Sequence, residues 1–304
     1  MTGATPRAAA RSPMDDQAFR QLLAELRPSL HRYCARMTGS VIDGEDVVQE
    51  ALARALEAFA TAQVTDNPGG WVFRIAHNAT LDFLRRRTRE QALASSEESF
   101  TMSSSVSSPE ARPALAASLR TFQRLPVTQR SSVLLMDVLG YTLEEIAGIT
   151  GASIPAIKAA LHRGRTRLRE LAVEPEDAPS PVMSTSERAS LEAYIDRFNA
   201  HDFDAVRNML AAEVRLDLVA RTTMKGKREV QTYFHNYAGK PDWRLVPGFV
   251  EGRPAVLVYD PARLNAAPSY FMLLGWTENL LVEIRDFRYA RYVMESAEVA
   301  RLTV

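Results

Sequence analysis

The chain has 304 residues, which is too long for one ordinary domain and suits two or three. Its 37 Lys and Arg residues balance 37 Asp and Glu residues, so the whole molecule is not a polycation. The single cysteine, Cys34, excludes an intrachain disulfide, and residues 1–14 lack the hydrophobic core of a secretory signal. With no apolar run long enough to span a bilayer, the sequence predicts a cytoplasmic protein with a disordered N-terminal tail and no membrane partner.

Three helices are predicted within residues 15–88. The first runs from Asp15 to Met37, and its apolar stripe places Cys34 in the core. The second begins at Asp43, where acidic side chains suit the positive end of the helix dipole. Residues 65–70 form a predicted loop, after which a third helix extends from residue 71 to residue 87. The surface of that helix is expected to carry Arg74, His77, Asn78, Asp82, Arg85, Arg86 and Arg87.

A serine-rich segment, residues 89–112, predicts a flexible linker. Beyond it, residues 113–172 are predicted to form a second helical domain. Its first helix runs from Pro113 to Leu125, where the following proline stops it, and its next helix runs from Val127 to Leu139.

Residues 139–171 predict two helices joined by a tight turn. Thr142 can cap the first helix, and Glu145 can reach back to complete a capping box. Gly151 lies where the chain must turn, because glycine adopts the left-handed conformation at low cost. Ser153 is a natural N-cap for the second helix, whose first turn tolerates Pro155. This is the pattern of a helix-turn-helix.

The second helix of this pair ends in a run of positive charge. Eight basic and four acidic residues lie between Arg120 and Glu170, which gives this segment a net charge of +4. In helix-turn-helix proteins the second helix lies in the DNA major groove, where arginines also grip phosphates. A helical hairpin with a solvated basic face has the same pattern, so the motif alone leaves both interpretations open.

After a proline-rich linker, residues 173–186, the segment 187–304 changes character. Helices are predicted at 187–200, 203–210 and 227–237. Strand-like runs are predicted at 214–220, 243–250, 253–260, 269–278 and 280–293. Helices followed by a curved antiparallel sheet make an α+β domain.

The first 172 residues resemble a bacterial sigma factor of the extracytoplasmic-function group. The motif DGEDVVQEALARALEAF resembles region 2 of that group, and the basic helix-turn-helix resembles region 4. Region 2 would cover residues 15–88 and region 4 residues 113–172. The resemblance implies two partners, core RNA polymerase and promoter DNA, and a chain that is not an enzyme.

The resemblance also assigns site residues. In region 2, core polymerase would contact Asp43, Asp46, Gln49 and Glu50. The −10 element would contact Gln63, Asp66, Asn67, Arg74, Asn78 and Arg85. In region 4, the −35 element would contact Ser153, Pro155, Ala156, Lys158, Ala159, His162, Arg163 and Arg165. Many members carry a hydroxyl residue and an extra arginine where this chain has Ala156 and Ala160, which leaves the −35 preference open.

Residues 187–304 resemble the SnoaL-like branch of the nuclear-transport-factor-2-like fold, a cone with an apolar pocket. Pocket candidates are Tyr194, Asp217, His235, Trp243, Tyr270 and Asp286. Some relatives of this fold are enzymes, and a buried carboxylate with a raised pKa can act as a base. We expect a regulatory domain instead, with no metal or cofactor, and a small ligand in the pocket is left open.

Two other interpretations remain open. A conventional helix-turn-helix repressor or activator would bind duplex DNA without polymerase, but it would leave the region 2 resemblance unexplained. An isomerase-like or cyclase-like enzyme acting through the C-terminal pocket would depend on an acid such as Asp286.

Overall fold

The computed structural model describes residues 14–59, 67–94, 118–172, 183–238 and 243–302. These residues form two compact units, and the described residues after Ala172 all belong to the second. The predicted multi-domain layout, helical first and α+β afterwards, is confirmed. Within the described segments, none of the helices combines the length and the apolar character needed to cross a bilayer.

The first unit begins with three helices: α1 (Asp16–Thr38), α2 (Val41–Phe59) and α3 (Pro68–Ala94). Asp15 caps α1 by accepting a hydrogen bond from the backbone N–H of Ala18, and Gly39 ends it in the left-handed conformation. The prediction that α2 begins at Asp43 is wrong by two residues. Asp43 still lies in the first turn of α2, where the helix dipole favours a carboxylate.

The sequence underestimated the length of α3 at both ends. Residues 68–70, predicted as loop, are helical because proline suits the first helical turn and Asn67 supplies a cap: its Oδ1 accepts a hydrogen bond from the N–H of Gly70 at 2.8 Å. Residues 89–94, predicted as linker, extend the helix. They contain neither proline nor glycine, and most of them are good helix formers.

His77 was predicted on the surface of α3, and this prediction is wrong. The side chain is buried, and its Nδ1 lies 2.6 Å from the hydroxyl of Tyr33 on α1. Burial lowers the pKa of His77 to about 4, so the imidazole is neutral at pH 7. The sequence could not show this burial, because His77 is adjacent to the polar residue Asn78 and polar side chains on a helix are normally expected at its surface.

Four further helices complete the first unit: α4 (Leu119–Gln123), α5 (Val127–Val133), α6 (Leu143–Thr150) and α7 (Ile154–Leu171). A π-helical turn, Leu134–Val138, continues α5. The aromatic rings of Phe73 on α3 and Tyr141, which precedes α6, meet edge to face with centroids 5.1 Å apart. The two predicted helical domains therefore share one hydrophobic core.

A polar cluster, Gln123 and Arg130, connects the C-terminal end of α1 with α4 and α5. The guanidinium of Arg130 donates to the carbonyl oxygens of Met37, Gln123 and Leu125. The amide of Gln123 donates to the carbonyl oxygens of Arg36 and Met37, at 3.0 and 3.2 Å. A cation at helix C-terminal ends is favourable, because unpaired carbonyl groups and the helix dipole concentrate negative charge there.

The second unit begins with helices α8 (Thr185–Asn199) and α9 (Phe203–Asn208), and α10 (Lys227–Ala238) follows later. Its strands are β1 (Leu210–Leu218), β2 (Thr222–Lys225), β3 (Arg244–Val250), β4 (Arg253–Tyr259), β5 (Tyr270–Thr277), β6 (Leu280–Asp286) and β7 (Val299–Arg301). The side-chain amide of Asn199 on α8 pairs with the backbone of Leu245 on β3 through two hydrogen bonds, at 2.9 and 3.0 Å.

The seven strands form one sheet in the order β2-β1-β6-β5-β4-β3-β7. The prediction of an antiparallel sheet is incomplete, because β1 and β6 pair in parallel. Such a pair joins strands far apart in the chain, which alternation along one strand cannot reveal. The predicted last strand, residues 280–293, also ends early: β6 stops at Asp286, and a short 3₁₀-helix covers Arg291–Glu295.

Candidate nucleic-acid interface

The helix-turn-helix forms as its cap residues predict. Thr142 and Glu145 complete the capping box at the start of α6. Gly151 ends α6 with a φ of 73°, in the left-handed region. The hydroxyl of Ser153 then accepts a hydrogen bond from the N–H of Ala156 and caps α7.

The inner side of α7 packs on α5. Ile157, Leu161 and Leu168 are buried, as the apolar spacing predicts. A Cβ added to Gly164 would come within 2.8 Å of Val133 Cγ2, so a larger residue would require α5 or α7 to shift. Ala160 is also buried, at 5% exposure. The departure from the family pattern at this position therefore lies on the buried side of α7.

The outer side of α7 presents every residue that was predicted to read the −35 element. All eight are exposed: Ser153, Pro155, Ala156, Lys158, Ala159, His162, Arg163 and Arg165. Most residues on this face have small or positively charged side chains, so the helix can approach a DNA groove closely.

Arg165 has a protein partner. Its Nε and Nη2 donate to the two carboxylate oxygens of Asp137, at 2.9 and 2.5 Å. This hydrogen bonding raises the pKa of Arg165, so the guanidinium stays charged and is held against the π-helical turn. Asp137 was not anticipated from the sequence as part of this face, since its nearest sequence neighbours are apolar.

Two grooves lie on opposite sides of α7. One has a volume of about 390 Å³, with an apolar floor and with Lys158, Arg165 and Arg169 along it. The other has a volume of about 460 Å³ and is lined by Arg124, Arg163 and Arg167, among others. His162 lines both grooves. Both sides of the helix are therefore positively charged, as contact with two phosphate strands requires.

The predicted −10 residues on α3 form one row. Arg74, Asn78 and Arg85 are exposed and follow each other at spacings of four and seven residues, which places them on one helix face. Arg85 also pairs with Asp82 at 3.2 Å. The side chain of Asn67 caps α3. Gln63 and Asp66 lie outside the described residues.

The acidic residues predicted to contact core polymerase lie on α2, next to the basic end of α3. Asp43 accepts from Arg87 and Glu50 from Arg86, each at 3.2 Å. Asp46 is exposed, and Gln49 is half-buried. Arg86 and Arg87, which were predicted only as a surface cluster, therefore orient two of these carboxylates.

In the second unit, the structure brings Tyr270 and Asp286 together through a third residue. The hydroxyl of Tyr237 donates to Asp286 Oδ2 at 2.9 Å and lies 3.2 Å from the hydroxyl of Tyr270. Tyr233 donates to the same carboxylate oxygen at 2.7 Å, and the N–H of Arg288 donates to the other. Burial raises the pKa of Asp286. Tyr233 and Tyr237 were missed because their i, i+4 spacing on α10 also fits an ordinary core stripe.

The other pocket candidates are dispersed. His235 is exposed, which does not fit an interior position. Asp217 pairs with its parallel-strand neighbour Arg285 at 3.7 Å. Tyr194 and Trp243 are buried, and neither the Tyr194 hydroxyl nor the Trp243 indole N–H has a hydrogen-bond partner in the described part of the chain. The described residues contain no group of His, Cys, Asp or Glu side chains that could hold a metal ion.

Comparison with known proteins places these elements in a family. Sigma-70 region 2 matches residues 22–90, and Sigma-70 region 4 matches residues 117–168. The ECF RNA polymerase sigma factor SigG of Mycobacterium tuberculosis is 29% identical over 280 residues, which cover 82% of this chain and 76% of the relative. The ECF RNA polymerase sigma factor EcfG of Rhodopseudomonas palustris is 30% identical, with 52% of this chain and 87% of the relative covered.

Among solved structures, the extracytoplasmic function sigma factor SigJ of Mycobacterium tuberculosis matches 88% of this chain and 95% of its own, with 19% identity and a TM-score of 0.35. The two sigma-70 regions occupy the first unit, in the order and at the positions where α1–α3 and α4–α7 lie. The chain belongs to the ECF family of RNA polymerase sigma factors.

Proposed function

We propose that this sigma factor brings core RNA polymerase to promoters by placing α7 in the major groove of the −35 element and the exposed row of α3 on the −10 element. The observation that carries the proposal is the outer face of α7, where all eight predicted contact residues are exposed between two basic grooves. Phosphate contacts from the grooves would supply affinity, and the exposed face would supply sequence preference.

On the −10 side, opening the duplex requires unstacking of bases, at a cost of a few kcal/mol each. The segment around residues 63–70 is proposed to receive an unstacked base, and Arg74, Asn78 and Arg85 to hold the strand. Asp43, Asp46, Gln49 and Glu50 on α2 are proposed to contact core polymerase. Residues 15–88 and 113–172 would be the two functional regions, joined by 89–112, and the protein would act in the cytoplasm.

The second unit is proposed to be a SnoaL-like domain, residues 187–304 behind linker 173–186, that modulates the sigma activity. Tethering keeps the two parts of the chain at high effective concentration, so even weak contacts between them would have an effect. The surroundings of Asp286 favour a structural role over catalysis, because its carboxyl group is fully buried and accepts hydrogen bonds from Tyr233, Tyr237 and the N–H of Arg288. A general base needs an oxygen available to its substrate.

A small ligand inside the second unit is a second candidate function. The supporting observation is that the buried donors of Tyr194 and Trp243 have no acceptor among the described residues, and an unpaired buried donor costs about 1–3 kcal/mol. Cyclohexanone and phenol are suitable acceptor probes. A rise in thermal unfolding temperature with either probe, lost in Tyr194→Phe, would support the role, and no rise with either would contradict it.

The first experiment is transcription by purified core RNA polymerase from a library with randomised −10 and −35 segments. It compares the full chain with a chain ending at Ala172. We expect promoter-specific transcripts from at least one form, and a difference in yield between the two forms would show whether the second unit restrains or assists.

Two outcomes separate the alternatives. Specific binding to duplex DNA without polymerase, together with no transcripts, would indicate a conventional helix-turn-helix repressor or activator. Equal transcription by both forms would retain the sigma function and remove the modulatory role of the second unit.

A further inference from the structure

Pro155, Ala159 and His162 form the crest of the exposed face of α7. They follow each other at spacings of four and three residues, so they lie along one line of the helix. All three are exposed, and His162 borders both basic grooves. A side chain that borders grooves on both sides of a helix lies on the ridge between them. If α7 enters the major groove, this ridge faces the base edges.

The flanks of the crest are cationic on both sides. Lys158 and Arg169 lie in one groove. Arg163 lies in the other, together with Arg167, whose guanidinium pairs with Glu170 at 3.0 Å. Long cationic side chains on the two sides of a helix inserted in the major groove face the two phosphate backbones. These residues therefore supply affinity that does not depend on sequence.

The crest offers few hydrogen bonds to a base. Pro155 and Ala159 have no polar side-chain atom, and the hydroxyl of Ser153, which precedes α7, accepts the capping hydrogen bond from the N–H of Ala156. The imidazole of His162 makes no side-chain hydrogen bond within the described residues. Imidazole carries at least one N–H donor in every protonation state. In the major groove guanine presents two neighbouring acceptors, N7 and O6.

We propose that His162 is the specificity-determining residue of α7 and donates a hydrogen bond to a guanine of the −35 element. The inference rests on the proposed promoter function and names the residue that gives it sequence preference. Small side chains at Ala156 and Ala159 let the helix approach closely enough for the imidazole to reach the base edge.

The test uses polymerase holoenzyme with the full chain and a promoter recovered from a library with a randomised −35 segment. For the natural chain, we expect guanine to be selected at one position at least. In His162→Ala that selection disappears, while the dependence of binding on salt stays the same. In Arg163→Ala binding weakens on all sequences alike, and the slope of log affinity against log salt falls by about 0.9.

A chemical probe then identifies the contact. Replacing the selected guanine by 7-deazaguanine removes N7 and should weaken binding of the natural chain about fivefold to tenfold. The same replacement should not affect His162→Ala, because the donor is already absent. Unchanged thermal unfolding of the variant would show that α7 still folds.

Each failure has a different meaning. If the natural holoenzyme gives no transcripts from any library member, the proposed function is lost together with this inference. If it transcribes specifically but selects no guanine, or if His162→Ala selects the same sequences as the natural chain, only the assignment of His162 is wrong.

Discussion

The guanidinium of Arg130 donates a hydrogen bond to the carbonyl oxygen of Met37, and this contact attaches region 4 to the end of the first helix of region 2. Arg130 is only 5% exposed and also serves the carbonyl oxygens of Gln123 and Leu125. Burial lowers its pKa to about 10, which leaves the side chain charged at neutral pH. One buried cation therefore neutralises the carbonyl ends of two helices.

Replacement of Arg130 by alanine should destabilise the first unit by about 2–4 kcal/mol, because several buried carbonyl groups would lose their donor. Scanning calorimetry of the full chain would measure this as a lower unfolding temperature. Arg20→Ala is the matched control, since Arg20 pairs with Asp16 at the surface and its side chain is 62% exposed. The control should change stability by about 0.5 kcal/mol or less. Equal effects of the two variants would contradict the role of Arg130.

His77 should make the first unit sensitive to acid. Its pKa is about 4 in the folded chain and 6.5 when unperturbed, so the unfolded chain binds the proton first. The contribution of this group to stability is complete above pH 6.5 and is lost as the pH falls towards 4, by at most about 1.4 kcal/mol per pH unit. Denaturant unfolding at pH 7, 6 and 5 should show a weaker decline for His77→Gln than for the natural chain. An equal loss of stability in His77→Gln and in the natural chain would show that another group causes the pH dependence.

Asp286 should have the opposite pH dependence. Its folded-state pKa is raised, so its contribution to stability is present in acid and is lost as the pH rises through that value. Asparagine keeps the shape of the side chain and cannot ionise. The stability of Asp286→Asn relative to the natural chain should therefore increase from pH 4 to pH 7 in denaturant unfolding of the second unit. A constant difference across this range would show that Asp286 titrates alike in both states.

Cys34 should be chemically inert until the first unit unfolds. The thiol is fully buried, with its Sγ 3.5 Å from the hydroxyl of Thr80, and burial raises its pKa to about 12. A colourimetric disulfide reagent at pH 8 should label the chain only at the rate at which the first unit opens. Addition of urea should accelerate labelling in step with the loss of helical circular dichroism. Immediate labelling of the native chain would contradict this burial.

Removal of the Asp137 carboxylate should increase the affinity of the protein for DNA. Asp137→Asn removes the bidentate partner of Arg165 and releases a cation at the border of one groove. We expect tighter binding of holoenzyme to promoter DNA, and a slope against log salt that is steeper by about 0.9. Arg165→Ala should lower that slope less than Arg163→Ala does, because Asp137 already neutralises part of the Arg165 charge. A fall of about 0.9 for Arg165→Ala would show that Arg165 contacts a phosphate despite Asp137.

The sequence by itself determined the local elements of the helix-turn-helix. Thr142, Glu145, Gly151 and Ser153 are cap and turn residues whose effect depends on the backbone within four positions, so their roles were readable before any tertiary contact was known. The same holds for the exposure of the outer face of α7, because helical spacing fixes which residues oppose the buried stripe.

Only the tertiary structure decided which side chains far apart in the sequence meet. Two pairs, Tyr33–His77 and Asp137–Arg165, join residues 28 or more positions apart. The cluster of Tyr233, Tyr237 and Asp286 depends on how a helix packs on a sheet. The parallel pairing of β1 with β6 belongs to the same class. Local pattern fixes a helix or a strand and its faces, whereas the partner of each face follows from packing of the whole unit.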